Sequence, residues 1–491
     1  MKNDLLLGID FGTGGCKVTL IDPVGTVIES ASGEYSTSHP HPAWAEQNPS
    51  DWYRVMCSVL RKLKHRDSVG AIALDSYTHG AVLLNEKLEV IRPTIIWTDQ
   101  RSVKECEFLK EKYFDLIFKT AYQAPTPTWT LPQMLWLKNN EPQVLKQVRH
   151  ILFVKDYIRF LLTGEMACDC VESQGTLFWD MKNNCWSEAL CALADIPVKL
   201  LPHIGKPTDI AGKIARQAAL ETGLPEGTPV VMGASDSAVE DYAAGAIEAG
   251  QCVLKLATAG NVNVMTSEAH PNRETLTYSH VVPGMWYTVT ATNSAAVCQR
   301  WYRDKFCMQG TGYDELNELA EQSPAGSNGV FFHPYLQGER SPYWDPNLRG
   351  SFTGISMANS KGDFSRALLE GVAYSLRDCY RTIEKMELNV REFILIGGGA
   401  KSPLWSSILC DVFNAPVKCP SSCDASFGSA LLAGVGSGIF EDEVAAVRKC
   451  LKLDREITPV SERALFYAKQ FKHYRDIHDA LSECYGRMNK R

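Results

Sequence analysis

The sequence predicts an α/β protein of two domains, each with a mixed β-sheet and packed helices, and three observations support that prediction. The chain has 491 residues, which is more than one hydrophobic core usually organises. Its first 75 residues follow the order strand, strand, strand, helix, strand, which is typical of a mixed sheet covered by helices. A strand, a glycine-containing turn and a second strand begin the chain, and the same pattern follows residue 250. We therefore expect a first domain of residues 1–246 and a second of residues 247–491.

The composition is that of an ordinary globular protein, with 45% hydrophobic and 22% charged residues. The formal net charge of −7 and the lack of a long basic run argue against nucleic acid as a partner. No apolar stretch is as long as a membrane span, and the first strand begins too early to leave room for a secretory signal. We expect a cytoplasmic protein with no membrane partner.

The 16 cysteines form no Cys-x-x-Cys pair and are scattered through apolar segments. A reduced cysteine in such a segment behaves as a small hydrophobic residue. A zinc site or a disulfide framework is therefore not predicted.

The first element is a hairpin over residues 5–22, in which an apolar strand ends in Asp10 and a glycine-rich turn follows. Glycines allow the turn to approach a ligand closely, and its successive N–H groups can bind an anion. Lys17 adds a cation, and Asp10 adds a carboxylate of the kind that binds Mg²⁺. These residues suit a triphosphate, but an ordinary hairpin with a glycine turn remains an equal alternative from this segment alone.

The rest of the first domain is predicted from apolar runs, caps and turn residues. The predicted elements are strands at residues 27–31, 69–74, 81–84, 90–96 and 229–233, a helix with Ser50 as its N-cap, a mainly helical region over residues 100–225, and a small-residue helix over residues 238–245.

The second domain begins with a hairpin that resembles the first. Strands are predicted over residues 252–256 and 261–265, with a turn from Ala257 to Gly260 between them. An internal duplication and a chance turn both explain this weak similarity. If the hairpins are related, their two Thr-x-Gly turns could hold phosphates from opposite sides of a cleft.

A glycine loop near residue 397 follows a predicted strand over residues 393–396 and precedes a helix with Ser402 as N-cap and Pro403 at its first position. A glycine loop at a helix N-terminus suits the phosphate or adenosine part of a nucleotide, although a structural helix cap is the alternative. A Walker A loop would need glycines where Leu395 and Ala400 stand. The dinucleotide fingerprint is also missing, which argues against an NAD-dependent dehydrogenase.

Seven motifs, in the same order and at similar spacing, resemble those of the FGGY family of carbohydrate kinases over nearly the whole chain. They are L-G-I-D-F-G-T-G-G-C-K-V from Leu7, W-A-E-Q-N-P from Trp44, R-P-T-I-I-W-T-D-Q-R from Arg92, V-V-M-G-A-S-D from Val230, G-E-R-S-P-Y-W-D-P-N-L-R-G from Gly338, L-L-E-G-V-A-Y-S-L from Leu368 and I-G-G-G-A from Ile396.

The resemblance implies two ribonuclease-H-like domains of the actin/hexokinase ATPase type around a central cleft, with the sugar deep in the cleft and MgATP above it. It implies ATP-dependent phosphorylation of a sugar or polyol hydroxyl, a ketopentose such as D-xylulose being the expected substrate. ATP and Mg²⁺ are the expected cofactors, and a homodimer is common in the family.

The resemblance also assigns the site residues, with Asp236 as the base that accepts the proton of the substrate hydroxyl. An N-cap of the following helix is the alternative role for Asp236. The other implied residues are Asp10 for Mg²⁺; Gly12, Thr13, Gly14 and Lys17 at the β- and γ-phosphates; Thr258 and Gly260 in the second phosphate turn; Gly398, Gly399 and Ala400 at adenosine; and His79, Thr78, Asp99 and Ser237 near the sugar. For Asp99 and Arg101 a structural ion pair is an equal alternative, and residues 338–350 are expected to form a wall of the cleft.

Three departures from the family pattern put the sugar in doubt more than the reaction. Xylulose kinases in the family usually have Gly-Gln-Met at residues 76–78, an Asn or Gln at 237 and a glycine at 257, whereas this chain has Ser-Tyr-Thr, Ser237 and Ala257. Pockets that hydrogen-bond hydroxyl groups discriminate strongly through such polar contacts. Ribulose, erythritol and gluconate therefore remain open as substrates, and so does a non-catalytic member that only binds nucleotide or sugar.

Overall fold

In the computed structural model, which describes residues 4–488, each half of the chain forms a mixed β-sheet with helices packed against it. The strands of the first half are β1 (Leu5–Gly12), β2 (Gly15–Ile21), β3 (Val27–Glu34), β4 (Glu46–Gln47), β5 (Val69–Ser76), β6 (Ala81–Leu84), β7 (Thr94–Ile95), β8 (His150–Phe153), β9 (Ala167–Asp169), β10 (Trp179–Asp180), β11 (Cys185–Trp186), β12 (His203–Gly205), β13 (Ile210–Lys213) and β14 (Pro229–Ser235). Its helices are α1 (Pro49–Leu60), α2 (Val103–Ala121), α3 (Thr130–Asn140), α4 (Pro142–Leu145), α5 (Val154–Thr163), α6 (Glu188–Leu193), α7 (Arg216–Thr222) and α8 (Asp236–Ala243).

The second half continues with strands β15 (Gln251–Leu256), β16 (Gly260–Thr266), β17 (Leu276–Ser279), β18 (Trp286–Thr292), β19 (Phe331–His333), β20 (Ser351–Thr353), β21 (Glu392–Ile396), β22 (Val417–Pro420) and β23 (Leu453–Ile457). Its helices are α9 (Ala296–Phe306), α10 (Tyr313–Glu321), α11 (Lys361–Lys385), α12 (Pro403–Phe413), α13 (Ala425–Gly436), α14 (Glu443–Cys450) and α15 (Ser461–Met488). Short 3-10 helices span Arg66–Ser68, Glu172–Thr176, Val198–Leu200, Ser327–Gly329 and Gly398–Lys401.

The two main sheets repeat one strand order. The first runs β13-β14-β5-β1-β2-β3, and the second runs β17-β18-β16-β15-β21-β22-β23. In each, an antiparallel hairpin (β1–β2 or β15–β16) has a third antiparallel strand on one side. On its other side lie two parallel strands, β5 and β14 in the first sheet and β21 and β22 in the second. The similarity between the hairpins thus extends to five strands, and the predicted two-domain α/β fold is confirmed.

The predicted division between residues 246 and 247 lies in the connection from α8 to β15. It stays a prediction, since helices from the second half also pack against the first sheet. Within residues 4–488, none of the helices combines the length and apolar character that a membrane crossing requires.

Two local predictions for the first half are wrong. The N-cap of α1 is Asn48 rather than Ser50, because Pro49 takes the first helical position and the Asn48 side chain accepts the Ser50 N–H. The strand predicted over residues 90–96 is reduced to β7, because Pro93 interrupts it and cannot donate to a ladder. The central region that was expected to be mainly helical also contains six short strands, β8 to β13.

Helix α13 of the second half joins the two domains, because it packs against the first sheet and against α8. A side chain at Gly8 in β1 would overlap the Ser426 carbonyl of α13, so this crossing depends on a glycine. Across the same contact Thr19 and Ser426 join their hydroxyl groups at 2.6 Å, and Ser429 donates to Asp75 at 2.6 Å. Strand ends of the first sheet are therefore placed directly against the second domain.

A second connection between the halves lies at the free edge of β17. The Gln123 side chain accepts the Thr277 N–H at 3.4 Å and donates to the Thr277 carbonyl. The Gln174 side chain accepts the Ser279 N–H at 2.9 Å and donates to the Ser279 hydroxyl. Two glutamines of the first half therefore occupy the backbone groups that an adjacent strand would pair.

Candidate active site

Three acids meet at the carboxyl ends of neighbouring strands in the first sheet. Asp10 near the end of β1 lies beside Asp75 in the parallel strand β5. Asp236 follows the last residue of β14, which pairs with β5 beyond Asp75. Parallel strands direct their carboxyl ends to one edge, so the topology brings together residues that are 226 positions apart, from Asp10 to Asp236.

Burial raises the pKa of each of these acids. The pKa of Asp10 rises to about 7, with the charges of Asp236, Asp424 and Glu240 adding to the effect of burial. Burial also raises the pKa of Asp75 and of Asp236. Burial therefore favours the uncharged form of the three carboxyl groups at this edge of the sheet.

Two lysines face this group of acids, and each is already paired. Lys17 of β2 places Nζ 2.8 Å from Asp424 Oδ2, at the N-cap of α13. Lys255 of β15 pairs with Glu240 of α8, and its charge lowers the pKa of Asp236 against the effect of burial. The sequence predicted Lys17 but neither Asp424 nor Glu240.

Asp10 and Asp75 form a donor set that fits a divalent cation. Asp75 accepts from Ser429 through Oδ2, and its carboxyl group also shares a hydrogen bond with that of Asp10. Mg²⁺ is commonly held in proteins by one or two carboxylates together with water and phosphate oxygens. The metal role predicted for Asp10 therefore agrees with its surroundings, and Asp75 is a neighbour that the sequence pattern did not single out.

Asp236 is the first residue of α8, and the N-cap is Ser235. The N-cap role considered for Asp236 is therefore wrong. Its Oδ1 accepts the backbone N–H of Ser237 at 2.6 Å and the Ser237 hydroxyl at 3.2 Å. These local bonds orient the carboxylate, and the predicted contact of Ser237 with a sugar stays a prediction.

His79 lies in an aromatic wall to which both halves contribute. Its ring is 4.6 Å from that of Trp129, and Trp129 lies parallel to Tyr278 of β17 at 6.3 Å between ring centroids. The Gly175 carbonyl accepts from Nδ1 of His79, which leaves Nε2 as the acceptor nitrogen of a neutral ring. Burial lowers the pKa of His79 to about 4, so that the ring stays neutral near pH 7.

Of the three residues at 76–78 that differ from the family pattern, only Thr78 lies against this aromatic wall. Ser76 is buried and accepts the Lys155 N–H at 3.3 Å. Tyr77 is buried, and its hydroxyl donates to Gln47 at 2.8 Å. A Cβ at Gly175 would lie 3.0 Å from Thr78 Cβ, so Gly175 packs closely against Thr78 as well as against His79.

Asp99 is fully buried and already paired. Its Oδ2 accepts the Ala45 N–H at 2.6 Å and lies 2.8 Å from Nη2 of Arg101, whose guanidinium also reaches Glu46 at 2.7 Å. Arg101 further stacks over Trp44 at 3.8 Å. These contacts favour the structural ion pair, and a sugar contact by Asp99 stays a prediction.

The turn of the first hairpin is held by polar side chains. Gln47 donates to the Thr13 carbonyl at 2.7 Å, and Trp97 donates to the Thr13 hydroxyl at 2.8 Å. The Tyr35 hydroxyl donates to the Gly12 carbonyl, while Gly14 is exposed at the tip. None of the three supporting side chains was predicted.

The turn of the second hairpin is held by the start of α9. The Ala257 carbonyl accepts the Ala296 N–H at 2.7 Å, and the Thr258 carbonyl accepts the Ala295 N–H at 2.9 Å. This turn and the glycine loop after β21 line a cavity of about 510 Å³. The residues that line it include the predicted Thr258, Gly398 and Gly399 and, in addition, Gln299, Arg300, Tyr313, Asn317, Lys401 and Trp405.

Of the five nucleotide-binding residues predicted in the second half, two are not among those lining the cavity. A side chain at Gly260 would meet Leu376 at 2.8 Å in the core, and the Ala400 carbonyl accepts the Ser406 hydroxyl at 2.9 Å. The predicted N-cap at Ser402 and the proline at the first position of α12 are both present. Neither residue lines this cavity, and the roles predicted for Gly260 in the second phosphate turn and for Ala400 at adenosine stay predictions.

Comparison with known proteins gives two family matches. Residues 5–241 match the N-terminal domain of the FGGY family of carbohydrate kinases, and residues 253–437 match its C-terminal domain. A xylulose kinase of Escherichia coli strain K12 is 30% identical over 97% of this chain and 99% of its own. A gluconokinase of Bacillus subtilis is 27% identical over 94% of this chain and 93% of its own.

A crystal structure described as a xyloylose kinase from Brucella ovis has a TM-score of 0.90 and is 29% identical over 98% of this chain and all of its own. The agreement over 98% of this chain includes both main sheets. The chain therefore belongs to the FGGY family of carbohydrate kinases, ATP-dependent phosphotransferases with an alcohol group as acceptor.

Proposed function

We propose that the chain transfers the γ-phosphoryl group of ATP to a hydroxyl of a small neutral sugar, a ketopentose such as D-xylulose. The observation that carries this proposal is the position of Asp236. This residue begins α8 directly after β14, at the same edge of the sheet as Asp10 and Asp75 and beside the predicted phosphate turn. A base at this edge can serve the substrate hydroxyl and the transferred phosphoryl group together.

In this proposal Asp236 accepts the proton of the attacking hydroxyl and orients its oxygen. Burial, together with the charge of Glu240, raises the pKa of Asp236 and so its proton affinity, which suits a general base. Asp10, with Asp75, would hold Mg²⁺. When bound, this ion neutralises charge on the phosphate oxygens.

The two hairpins bind ATP in this proposal. Gly12, Thr13 and Gly14 offer backbone N–H groups to the β- and γ-phosphates, and Lys17 offers its ammonium group. Thr258 in the second turn contacts the phosphates from the other side. The adenosine part occupies the 510 Å³ cavity beside Gly398 and Gly399, with Gly260 and Ala400 supporting its walls.

His79 and Thr78 bind the sugar, together with Ser237. The neutral His79 ring presents Nε2 as an acceptor for a sugar hydroxyl. Aromatic rings such as Trp129 suit the apolar face of a sugar, and the similarity to xylulose kinases supports a ketopentose.

A sugar acid such as gluconate is the second candidate, and Arg340 is the observation that favours it. Arg340 lies close enough to Tyr278 for its charge to act on that side chain, and its buried Nε has no hydrogen-bond partner within residues 4–488. A carboxylate substrate needs such a cation. The similarity to a gluconokinase agrees with this candidate. Ribulose and erythritol belong to the same test, as does a non-catalytic binding role.

We further propose a cytoplasmic location, because all 16 cysteines, each within the described residues, are free thiols. The homodimer and the domain boundary at residues 246 and 247 remain predictions.

The test is an ADP-release assay of purified protein with MgATP and a panel containing D-xylulose, ribulose, erythritol and gluconate. Mass spectrometry then identifies any phosphorylated product. Phosphorylation of D-xylulose in preference to the others is the expected result. Gluconate as the preferred substrate would transfer the assignment to the second candidate, and sugar binding without a product would contradict catalysis.

A further inference from the structure

Strand β17 is bound by the first half on both sides of one residue, Tyr278. The Gln123 side chain accepts the Thr277 N–H at 3.4 Å and donates to the Thr277 carbonyl. The Gln174 side chain accepts the Ser279 N–H at 2.9 Å and donates to the Ser279 hydroxyl. Because these four bonds go to the residues immediately before and after Tyr278, they fix its main chain relative to the first half.

The Tyr278 side chain is the contribution of the second half to the aromatic wall. It packs against the apolar cluster of the first half that contains Trp129, and the two rings lie parallel with 6.3 Å between their centroids. The Trp129 ring is in turn 4.6 Å from that of His79. Tyr278 is only partly buried, so the wall that it completes keeps a surface for a ligand.

Gln174 connects β17 to the orientation of His79. It directly precedes Gly175, whose carbonyl accepts from Nδ1 of the His79 ring. Gln174 also donates to the Cys170 carbonyl at 2.7 Å and is 3% exposed, and Gln123 is 0% exposed. A buried amide whose oxygen and nitrogen are both hydrogen-bonded holds its partners in one arrangement. One short segment of the first half therefore orients His79 and holds the strand that carries Tyr278.

Protection of a sheet edge explains only part of this arrangement. Edges are commonly protected by a charged side chain, a proline or a bulge on the edge strand itself, which need no partner from another domain. Here both protecting groups come from the other half of the molecule and flank the one residue of β17 that stacks on Trp129. Burial raises the pKa of Tyr278, and the charges of Arg340 and Asp236 act on it in opposite directions, which agrees with a place near the proposed base.

We propose that Gln123 and Gln174 are positioning residues for the sugar, because they hold Tyr278 over Trp129 and so complete the sugar site with a ring from the second half. This inference rests on the proposed function, since it takes the wall of His79 and Trp129 as the sugar site. A preassembled wall binds a ligand more tightly because fewer groups must be ordered on binding. The cavity proposed for adenosine is lined by the second half alone and is independent of these contacts.

The experiment compares Gln123→Leu and Gln174→Leu with the wild type. Leucine is of similar size but lacks the hydrogen-bonding atoms. In each variant we expect the KM for D-xylulose, and its Kd by calorimetry, to rise about tenfold, because two hydrogen bonds across the cleft are lost. The KM for ATP should stay unchanged, and kcat at saturating sugar should be largely kept. If the panel identifies another sugar as the preferred substrate, that sugar replaces D-xylulose.

A double-mutant cycle separates positioning from a purely structural role. Tyr278→Ala alone should raise the KM for D-xylulose at least as much as either glutamine variant does. If the glutamines act through the Tyr278 ring, adding Gln174→Leu to Tyr278→Ala leaves the KM where Tyr278→Ala has put it. Equal increases from Gln174→Leu in both backgrounds would overturn positioning through Tyr278.

Gln251→Leu is the matched control, because the Gln251 amide also binds the main chain. It accepts the Ile247 and Glu248 N–H groups at 2.8 Å each, at the opposite end of β15 from the second phosphate turn. The control should lower Tm and keep the KM for D-xylulose. Ser279→Ala removes one acceptor of Gln174 and leaves the buried amide in place, so it tests the same contact if Gln174→Leu does not fold. Its KM for D-xylulose should rise about threefold.

The outcomes distinguish this proposal from the proposed function. An unchanged KM and Kd for D-xylulose in folded, active glutamine variants would overturn the positioning role and leave the kinase assignment standing. Binding of D-xylulose that depends on the glutamines but gives no phosphorylated product would support the positioning role and contradict the kinase assignment. If the wild type neither binds nor phosphorylates any sugar of the panel, both proposals fail.

Discussion

The hairpins β1–β2 and β15–β16 occupy the same place in their sheets but differ in charge and in support. The first carries Asp10 and Lys17, and its two-residue turn is held by side chains from elsewhere in the first half. The second has a turn of three residues that is held by backbone bonds to α9 and adjoins the glycine loop after β21. The two hairpins therefore share their strand arrangement but differ in their charged residues and in the contacts that support their turns.

This difference assigns separate tasks to the two halves. The strand ends of the first sheet carry the acids Asp10, Asp75 and Asp236. In the second sheet, by contrast, the parallel strand β21 is followed by Gly397 and by the loop that lines the cavity. We infer that the first half handles the reacting groups, the ion and the terminal phosphates of ATP, and that the second half holds its adenosine part. Each variant below replaces a residue of one half, and its effects on sugar and on ATP are compared.

The largest effect is expected from Asp236→Ala in the first half. Removing the proton acceptor should lower turnover by about two to four orders of magnitude, while ATP binding stays largely intact. ADP release measures the first quantity and calorimetry the second. Asp241→Asn is the control, since this buried acid of the same helix accepts from Asn263 at 3.0 Å, away from the strand ends. Near-normal turnover in Asp236→Ala would rule out its assignment as the base.

Lys17→Ala should raise the KM for ATP about tenfold, because it removes a charge-assisted contact with the phosphates. The KM for the sugar should change little. Asp424→Asn tests the alternative that Lys17 only links the two halves, since it breaks the same 2.8 Å ion pair and keeps the lysine. Equal effects of both variants on ATP would favour the structural link, and an effect on the sugar alone would show that the phosphate-site prediction is wrong.

The glycine loop of the second half offers a matched pair of variants. A Cβ at Gly399 would lie 2.5 Å from Leu256 Cγ, so Gly399→Ala should lower stability by about 1–3 kcal/mol and raise the KM for ATP. A Cβ at Gly398 meets no atom within 4 Å, so Gly398→Ala should keep its Tm. It should still weaken ATP binding several-fold by filling the cavity. Wild-type ATP affinity in both variants would place the nucleotide elsewhere.

The smallest effect concerns pH and His280, a buried residue of the second half. Burial lowers the pKa of His280 to about 3 from 6.5. Below pH 6.5 the unfolded chain binds a proton on this histidine that the folded chain does not bind. The full free energy of unfolding is therefore present above pH 6.5, and it decreases by up to about 1.4 kcal/mol for each unit by which the pH is lowered below 6.5. Urea unfolding of wild type and His280→Asn at pH 7 and 5.5 measures this. The variant keeps some loss of stability at low pH, because His79 has a lowered pKa in both proteins. A loss as steep in the variant as in the wild type would contradict the contribution of His280.

The sequence was sufficient for features that depend on local pattern. The two hairpins, the glycine loop and the cap at Ser402 are each encoded by adjacent residues, because turns and caps need particular residue types at fixed spacing. Reliance on local pattern also explains the wrong prediction of a strand at residues 90–96. Its apolar residues suggested a ladder that Pro93 prevents.

The missing parts of the site are those that only the tertiary fold brings together. Asp424 reaches Lys17 across 407 residues, and Gln47 reaches Thr13 from another loop. No local pattern distinguishes these residues from surface or core polar groups. A signal did exist for Asp75, which ends a buried strand just as Asp10 does, and for Asp424, which precedes a small-residue helix as an N-cap would.

The two glutamines at the edge of β17 have a consequence for any separation of the two halves of the molecule. A separation of the halves that removed Gln123 and Gln174 would expose the backbone groups of Thr277 and Ser279 at the margin of a seven-stranded sheet. Unpaired sheet margins recruit strands from other molecules. The Gln123 and Gln174 side chains thus cover the edge of β17 and block its pairing with a strand of another molecule.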